Sequence, residues 1–177
     1  MPELLTPRLQ LRPPLGQDFD GWAQLMADPE SARFIGGVQP RAAAWRGFLT
    51  MVGSWQIQGF GMFSVIERST GQWLGRIGPW QPEGWPGTEV GWGLLREAQG
   101  QGYAQEAAVA SIDWDFDTLG WTEVIHAIDP DNLPSQRLAE RLGSERRGPG
   151  RLPPPFEPLP IEIWGQTRAR WRERRGA

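Results

Sequence analysis

The 177-residue sequence has no cysteine and no lysine, and only one histidine, His126, and one tyrosine, Tyr103. Without cysteine there are no disulfides, no thiolate nucleophile and no cysteine-ligated metal, which suits a reducing cytosol. Without lysine there is neither a Schiff-base amine nor the lysine of a P-loop, and all 18 basic side chains are arginines. No apolar run approaches the ~20 residues of a membrane span, and the first residues show no hydrophobic signal segment. The expectation is a soluble cytoplasmic protein with no membrane partner. A net charge of −3 argues against a general nucleic-acid binder. The arginine-rich stretch RARWRERR at 168 to 175 reads as part of a solvated basic tail covering about 168–177, with an RNA or ribosome contact as the competing reading.

Aromatic residues are plentiful: 11 tryptophans and 7 phenylalanines supply a sizeable core for one domain, read here as residues 1–177. RLQLRP at 8 to 13 alternates as a strand does, and Phe19, Trp22, Leu25 and Met26 follow helical spacing. DPESARFIGGVQP reads as a loop. After Pro40, the residues Trp45, Phe48, Leu49, Val52 and Trp55 form an apolar stripe down one helix face, expected to be core. GMFSVIERS and WLGRIGPW read as a hairpin, with TEVGWGLL as the third strand of an antiparallel meander. The period then switches to that of a helix with Ala104, Ala107, Ala108, Ser111, Ile112 and Asp115 on one face. EVIHAID returns as a strand, so strand, helix and strand imply a right-handed parallel crossover. LPSQRLAERLG makes a further helix, and SERRGPGRL and PIEIWGQTR are weaker strands around a proline-rich segment. The fold class is α+β.

The crossover opens with REAQGQGYAQEAAVASIDWDF, in which Gly100 and Gly102 sit where each costs a helix about 1 kcal/mol relative to alanine. A glycine-rich turn between strand and helix presents successive backbone N–H groups at the positive end of the helix, a site for phosphate or pyrophosphate. A tight turn with close helix–sheet packing explains the same residues. The P-loop pattern fails for lack of lysine, and the dinucleotide fingerprint fails because Gln105 stands where its third glycine belongs. Coenzyme A is the remaining common phosphate ligand of such a turn.

QGQGYA, from Gln99 to Ala104, resembles the acetyl-CoA motif of the GCN5-related N-acetyltransferases (GNAT). TPRLQLRP, TEVGWGLL, GQGYAQEA and DPDNLPSQRLAERLG, in this order, look like the RimJ/RimL-like branch that acetylates ribosomal-protein N-termini. The resemblance runs from about Thr6 to Trp171. It implies the GNAT acyl-CoA N-acyltransferase fold: a mixed, mostly antiparallel sheet with flanking helices, in which the strands at 88 to 95 and 123 to 129 lie parallel and splay apart to admit acetyl-CoA. Backbone groups of Trp92, Leu94 and Leu95 would pair with the cofactor, and N–H groups of Gln99, Gly100, Gln101, Gly102, Tyr103 and Ala104 would hold its pyrophosphate. Asn132 and Ser135 would face the pantetheine and sulfur, unless they only cap a helix, and Arg137 would approach a coenzyme phosphate.

The implied reaction is attack of a primary amine on the thioester in a ternary complex, with Trp92 N–H as the carbonyl donor and Ser135 as the acid, because the tyrosine many relatives place four residues on is Ala139 here. The base is open. Glu89 is a water-relay position or a polar strand edge, Glu106 favours its helix N-terminus, Glu157 is the only carboxylate in the late loop, and His126 reads as a packing or hydrogen-bonded residue. Asp113, Asp115 and Asp117 begin like a calcium loop but lack its glycine, so no metal is expected. An α-amine with pKa about 7.7–8.0 is roughly a tenth neutral at pH 7, against a few parts in ten thousand for a lysine, so a peptide α-amine or small amine is the expected acceptor. Phe34, Ile35, Trp45, Trp80 and Trp85 are its candidate aromatic and apolar wall, or simply packing. A homodimer is left open, and a non-catalytic acyl-CoA-binding regulatory module is the competing function.

Overall fold

Large apolar residues in FSVIE, and apolar residues interspersed with glycines in WLGRIGPW, give the middle of the fold its strands: β3 (Phe63–Glu67) and β4 (Trp73–Trp80), joined by the STGQ turn. In the computed structural model, which describes residues 2–176, they are flanked by β1 (Leu4–Leu5) and β2 (Leu9–Arg12) on one side and β5 (Glu89–Leu94) on the other. Met1 and Ala177, the ends of the expected domain and tail, lie outside the described residues. The chain continues through β6 (Glu123–Ile128), β7 (Glu145–Gly150) and β8 (Ile161–Thr167) into one eight-stranded sheet of order β1-β2-β3-β4-β5-β6-β8-β7. Among the described residues every neighbouring pair is antiparallel except β5 and β6.

Among the described residues six α-helices complete the fold: α1 (Phe19–Ala27), α2 (Pro29–Ala32), α3 (Arg41–Ile57), α4 (Tyr103–Asp117), α5 (Leu133–Leu142) and α6 (Arg168–Gly176). Trp22 of α1 lies under Arg76 of β4 on one sheet face, and Trp92 of β5 reaches Ser135 of α5 on the other. Helix α3 packs against α1, with Phe48 against Trp22. No described helix is long and apolar enough to cross a membrane.

Three local readings of the sequence change. The DPES stretch is not loop but the short helix α2, because Asp28 accepts the Ser31 N–H at 3.0 Å and Pro29 starts the turn. In α3 the buried face is Ala44, Phe48, Met51, Ser54 and Trp55, while Trp45 and Leu49 are 42% and 46% exposed. Only the side centred on Phe48 faces α1; Trp45 stays at the rim, edge-on to Phe19 at 4.7 Å.

The arginine-rich end is the third. It folds as α6, and Trp171 is only 4% exposed, donating its indole N–H to Asp113 Oδ1 at 2.7 Å. Arg175 pairs with Asp113 at 2.9 Å and Arg172 with Asp117 at 3.1 Å. The aspartates that resembled a calcium loop are therefore the docking partners of α6 on α4, while Asp115, two residues from each, points into the core beside Ser111. Trp171→Ala is expected to cost about 3–5 kcal/mol of unfolding free energy, the range for a large aromatic lost from a core, and Arg172→Ala about 1 kcal/mol or less. Urea unfolding of both variants checks this; equal small effects would mean α6 adds nothing to the core.

Candidate active site

The site begins where β5 and β6 part. Their parallel ladder has one registered pair, Glu89 with Ile125, supported by Ile125 N–H donating to Thr88 C=O at 2.9 Å. One step further on, Val90 C=O is met by the ring of His126 at 2.7 Å rather than by a backbone donor. A carbonyl only accepts, so Nδ1 carries the proton. Nε2 then accepts from the Ser144 hydroxyl at 2.9 Å, and Ser144 Oγ accepts from Gln166 Nε2 at 3.1 Å. Burial pushes the His126 pKa down to about 4, so the neutral ring is a spacer between strands and not a base at neutral pH.

Backbone groups along a strand alternate in direction. Leu95 N–H donates to Leu74 C=O of the β4 side at 2.9 Å, so the odd positions of β5 face β4 and Trp92 and Leu94 face the opening beside β6. Pro79, which has no donor, sits opposite Val90 at a position that needs none. Both Leu95 backbone groups are engaged, since its C=O also accepts from Ala98 N–H at 2.9 Å, and its side chain is buried. Leu95 is thus a packing residue and leaves the expected cofactor-pairing set. Leu94 C=O is held by the Gln99 side-chain amide at 3.0 Å.

The glycine turn lies at the mouth of this opening. Gly100 and Gly102 have φ of +74° and +81°, the left-handed region that favours glycine, and Gly102 caps α4. The first N–H groups of α4 have no intrahelical acceptors. Gln99 N–H, by contrast, donates to Arg96 C=O at 3.1 Å and is already engaged. Arg8, which the sequence reading passed over within TPRLQLRP, stacks on Tyr103 at 4.4 Å and donates to Gln101 C=O at 2.9 Å and Glu106 Oε2 at 2.7 Å. Glu106 also accepts from the Thr6 hydroxyl at 2.6 Å and from Arg8 N–H at 2.9 Å. Its main contact is therefore with the N-terminal strand segment, which it ties to the turn. The only signal for Arg8 was its neighbourhood to a strand start; nothing in sequence spacing links positions 8 and 102.

On the α5 side, Asn132 Oδ1 accepts Ser135 N–H at 3.2 Å, the capping role, and Ser135 Oγ accepts the Trp92 indole N–H at 3.0 Å. Trp92 therefore fixes the serine oxygen and leaves its O–H to donate. Arg137 is exposed and Ala139 is buried against Trp164. A cavity of ≈ 490 Å³ joins Asn132, Ser135 and Trp92 to the opposite sheet face, where Phe34, Ile35, Trp80, Trp85 and Glu89 line it. Trp45 and Glu157 do not line it; the late loop offers Phe156 instead, edge-on to Trp85 at 6.5 Å.

Glu89 is 7% exposed. Burial raises its pKa to about 7, and the Trp85 indole N–H, the Ala127 N–H at 3.4 Å and the charge of Arg76 only partly oppose that shift. It is a carboxyl inside the cavity that titrates near neutrality, not a polar strand edge.

Residues 8–145 match the family model described as an acetyltransferase (GNAT) domain. The chain is 29% identical over 152 residues to the "Uncharacterized N-acetyltransferase p20" of Bacillus licheniformis, covering 84% of this chain and 85% of that one. A crystal structure of an acetyltransferase from Agrobacterium tumefaciens superposes with a TM-score of 0.82 at 33% identity, covering 95% of both chains. A putative ribosomal-protein-serine acetyltransferase from Vibrio cholerae shares the fold at a TM-score of 0.76 and 24% identity, covering 93% of this chain and 97% of its own. The glycine turn at the start of α4, the parted parallel strands and the family match converge: this chain belongs to the GNAT family, has the GNAT fold and is an acetyltransferase.

Proposed function

We propose that the enzyme transfers an acetyl group from acetyl-CoA to a small amine or an α-amine, with Glu89 as its base. The observation that carries this is the single cavity connecting Ser135 and Trp92, beside the parted strands, to the buried Glu89 on the other face of the sheet. The residues fit the coenzyme. Donors at Gly100 to Ala104, with Arg8 beside them, suit the pyrophosphate, and the open edge at Trp92 and Leu94 suits the pantetheine amides.

Bound acetyl-CoA supplies a thioester whose carbonyl carbon forms the new C–N bond as the C–S bond breaks. Trp92 N–H is the donor proposed for the carbonyl oxygen, worth roughly 2.7–4 kcal/mol if well aimed. Glu89 takes the proton that the amine loses, directly or through water. Ser135 hydrogen-bonds the departing sulfur and passes it a proton, which water returns to the serine hydroxyl, so that the thiol and the serine both end protonated.

The Glu89 pKa also bears on the acceptor. Moving a proton from an α-ammonium of pKa about 7.8 to a carboxylate of pKa about 7 costs about 1 kcal/mol, whereas from a lysine ammonium at 10.4 it costs about 5 kcal/mol. The ribosomal-protein N-terminal branch fits an α-amine acceptor too, supported by the four sequence motifs and by the name of the Vibrio cholerae relative.

The phosphate site is tested without touching the strained glycines. Gln101→Glu places a carboxylate at the positive end of α4, which suits the free helix but repels phosphate. The unliganded Tm should hold or rise while acetyl-CoA affinity falls about tenfold, which is about 1.4 kcal/mol. An unchanged ligand-induced shift would put the phosphates elsewhere.

For the base, kcat/KM should rise through a common inflection near 7 for two acceptors of different amine pKa. Glu89→Gln should abolish that inflection and lower kcat/KM roughly 100- to 10,000-fold. An inflection that moves with the acceptor would show that the enzyme merely selects neutral amine.

The same group makes a stability prediction. Its folded pKa lies above the ordinary 4.5, so its contribution to stability is complete below 4.5 and is lost as pH climbs through about 7. The wild type should therefore lose Tm relative to Glu89→Gln as pH is raised from about 5 to 8, since the variant keeps the opposing response of His126. Parallel Tm curves would mean that Glu89 titrates normally.

A further inference from the structure

The acceptor half of the cavity holds a second charged group that the proposed chemistry does not use. Arg76 lines it from β4. The β4–β5 register sets Arg76 opposite Gly93, Gly78 opposite Gly91, and Trp80 opposite Glu89, so Arg76 and Glu89 project from the same face of the sheet. Their backbone positions are four ladder steps apart, about 13 Å along the strands, with Gly91 and Gly93 and the side chain of Met62 between them. A Cβ on Gly91 would come within 2.6 Å of Met62 Cε, and one on Gly93 within 3.2 Å of Ile35 Cδ1. Met62 and Ile35 therefore take the space that side chains at 91 and 93 would fill.

Arg76 is partnered unlike the other internal arginine. Arg12 is met at both nitrogens by the buried Asp18 carboxylate, at 2.7 and 2.8 Å. Arg76 makes no ion pair among the described residues: its Nε is sealed from solvent without a hydrogen-bond partner, and its Nη1 contacts only the thioether of Met62, a weak acceptor. Its guanidinium lies over Trp22, 5.1 Å from the ring centroid. Glu89 does not neutralise it, because the carboxylate oxygens are turned to the Trp85 indole N–H and the Ala127 N–H. Burial lowers the Arg76 pKa to about 10, which leaves it charged at neutral pH. A buried guanidinium without a carboxylate is costly to the fold unless a ligand provides one.

We propose that Arg76 is an anion subsite of the acceptor pocket, and that the acceptor is a small amino acid whose amine lies toward Glu89, whose free carboxylate pairs with Arg76, and whose apolar side chain lies among Trp22, Phe34, Trp80 and Trp85. This rests on the proposed transfer to an amine and narrows its acceptor. A peptide N-terminus has a neutral carbonyl where the free amino acid has a carboxylate, so Arg76 selects against peptides. The fork of the guanidinium suits two-point recognition of a carboxylate, and the aromatic walls suit an apolar side chain.

The test uses the full chain with acetyl-CoA and a panel of α-, β- and γ-amino acids with apolar side chains, each beside its carboxamide. At least one acid should exceed its amide tenfold or more in kcat/KM. Arg76→Gln should bring that ratio near one, chiefly through KM, and Arg76→Lys should restore part of it. A second arm needs no turnover: in the presence of CoA, N-acetyl-leucine should raise the Tm of the wild type more than N-acetyl-leucinamide does, and Arg76→Gln should erase the difference. These products have no titratable amine, so amine basicity does not enter. Arg76→Met serves if the glutamine variant does not fold. Equal treatment of acid and amide by the wild type in both arms, or equal losses for both in the variants, overturns the subsite. If amines are acetylated without preference for acids, the subsite falls and the transfer reading stands. If no amine is consumed yet the acid still stabilises through Arg76, the transfer reading falls and the subsite stands.

Discussion

The working part of this molecule depends on one interruption of a ladder. β5 and β6 pair at Glu89 and Ile125, and then the imidazole of His126 takes the carbonyl that a backbone N–H would otherwise have met. Two neighbouring strands tied by a side chain cannot close to backbone spacing, so the edge of β5 at Trp92 and Leu94 stays open. The relay from His126 through Ser144 to Gln166 holds the ring in its neutral form and anchors it to β8. A cavity that crosses the sheet is the consequence. An antiparallel meander alone would have no such opening, and the proposed chemistry falls at the one parallel junction among the described residues.

Arginine does the electrostatic work of a chain without lysine, and several arginines are intelligible by their partners. Arg12 is neutralised by Asp18 inside the fold, Arg8 is clamped by Glu106 beside the glycine turn, and Arg172 and Arg175 fasten α6 to Asp117 and Asp113. Against that pattern the unpaired, enclosed Arg76 is conspicuous, and so is Glu89, a carboxyl held near neutrality in the same cavity. Groups of this kind cost stability and are commonly retained where binding or proton transfer needs them. The two lie on one sheet face, separated by glycines, while the serine hydroxyl lies on the other. The amine and the thioester would therefore approach from opposite sides of the sheet.

Local pattern in the sequence was enough for the strands from β3 to β6, the glycine turn, the helix that follows it and the capping of α5 by Asn132, because each depends on neighbours a few residues away. Glycine at 100 and 102 marks a turn whose backbone is left-handed, and the ordered motifs carried the family with it. The missed helix α2 rests on a local cap, Asp28 with Ser31, but the other two misreadings came from distant contacts. Trp45 belongs to the apolar stripe of α3 but meets only the rim of α1, and the arginine-rich end looks solvated until Trp171 finds Asp113 and Phe116 on α4.

The functional charges show the division most clearly. Glu89 in the sequence is a carboxylate on a strand, and only its enclosure by Trp85 and the chain at Ala127 raises its pKa toward 7. His126 in the sequence is the sole histidine and a formal candidate base, and burial between β5 and Ser144 makes it a neutral spacer. Arg76 carried no signal, and Arg8 only its place before a strand, because nothing within a few residues of them marks their distant partners. Sequence by itself determined most of the strands and helices, the glycine turn and the family, since these follow from backbone preference and short spacing. Tertiary structure alone decided which charges are paired, which are buried and which face the cavity, because desolvation and partner distance are properties of the packed sheet and not of any segment within it.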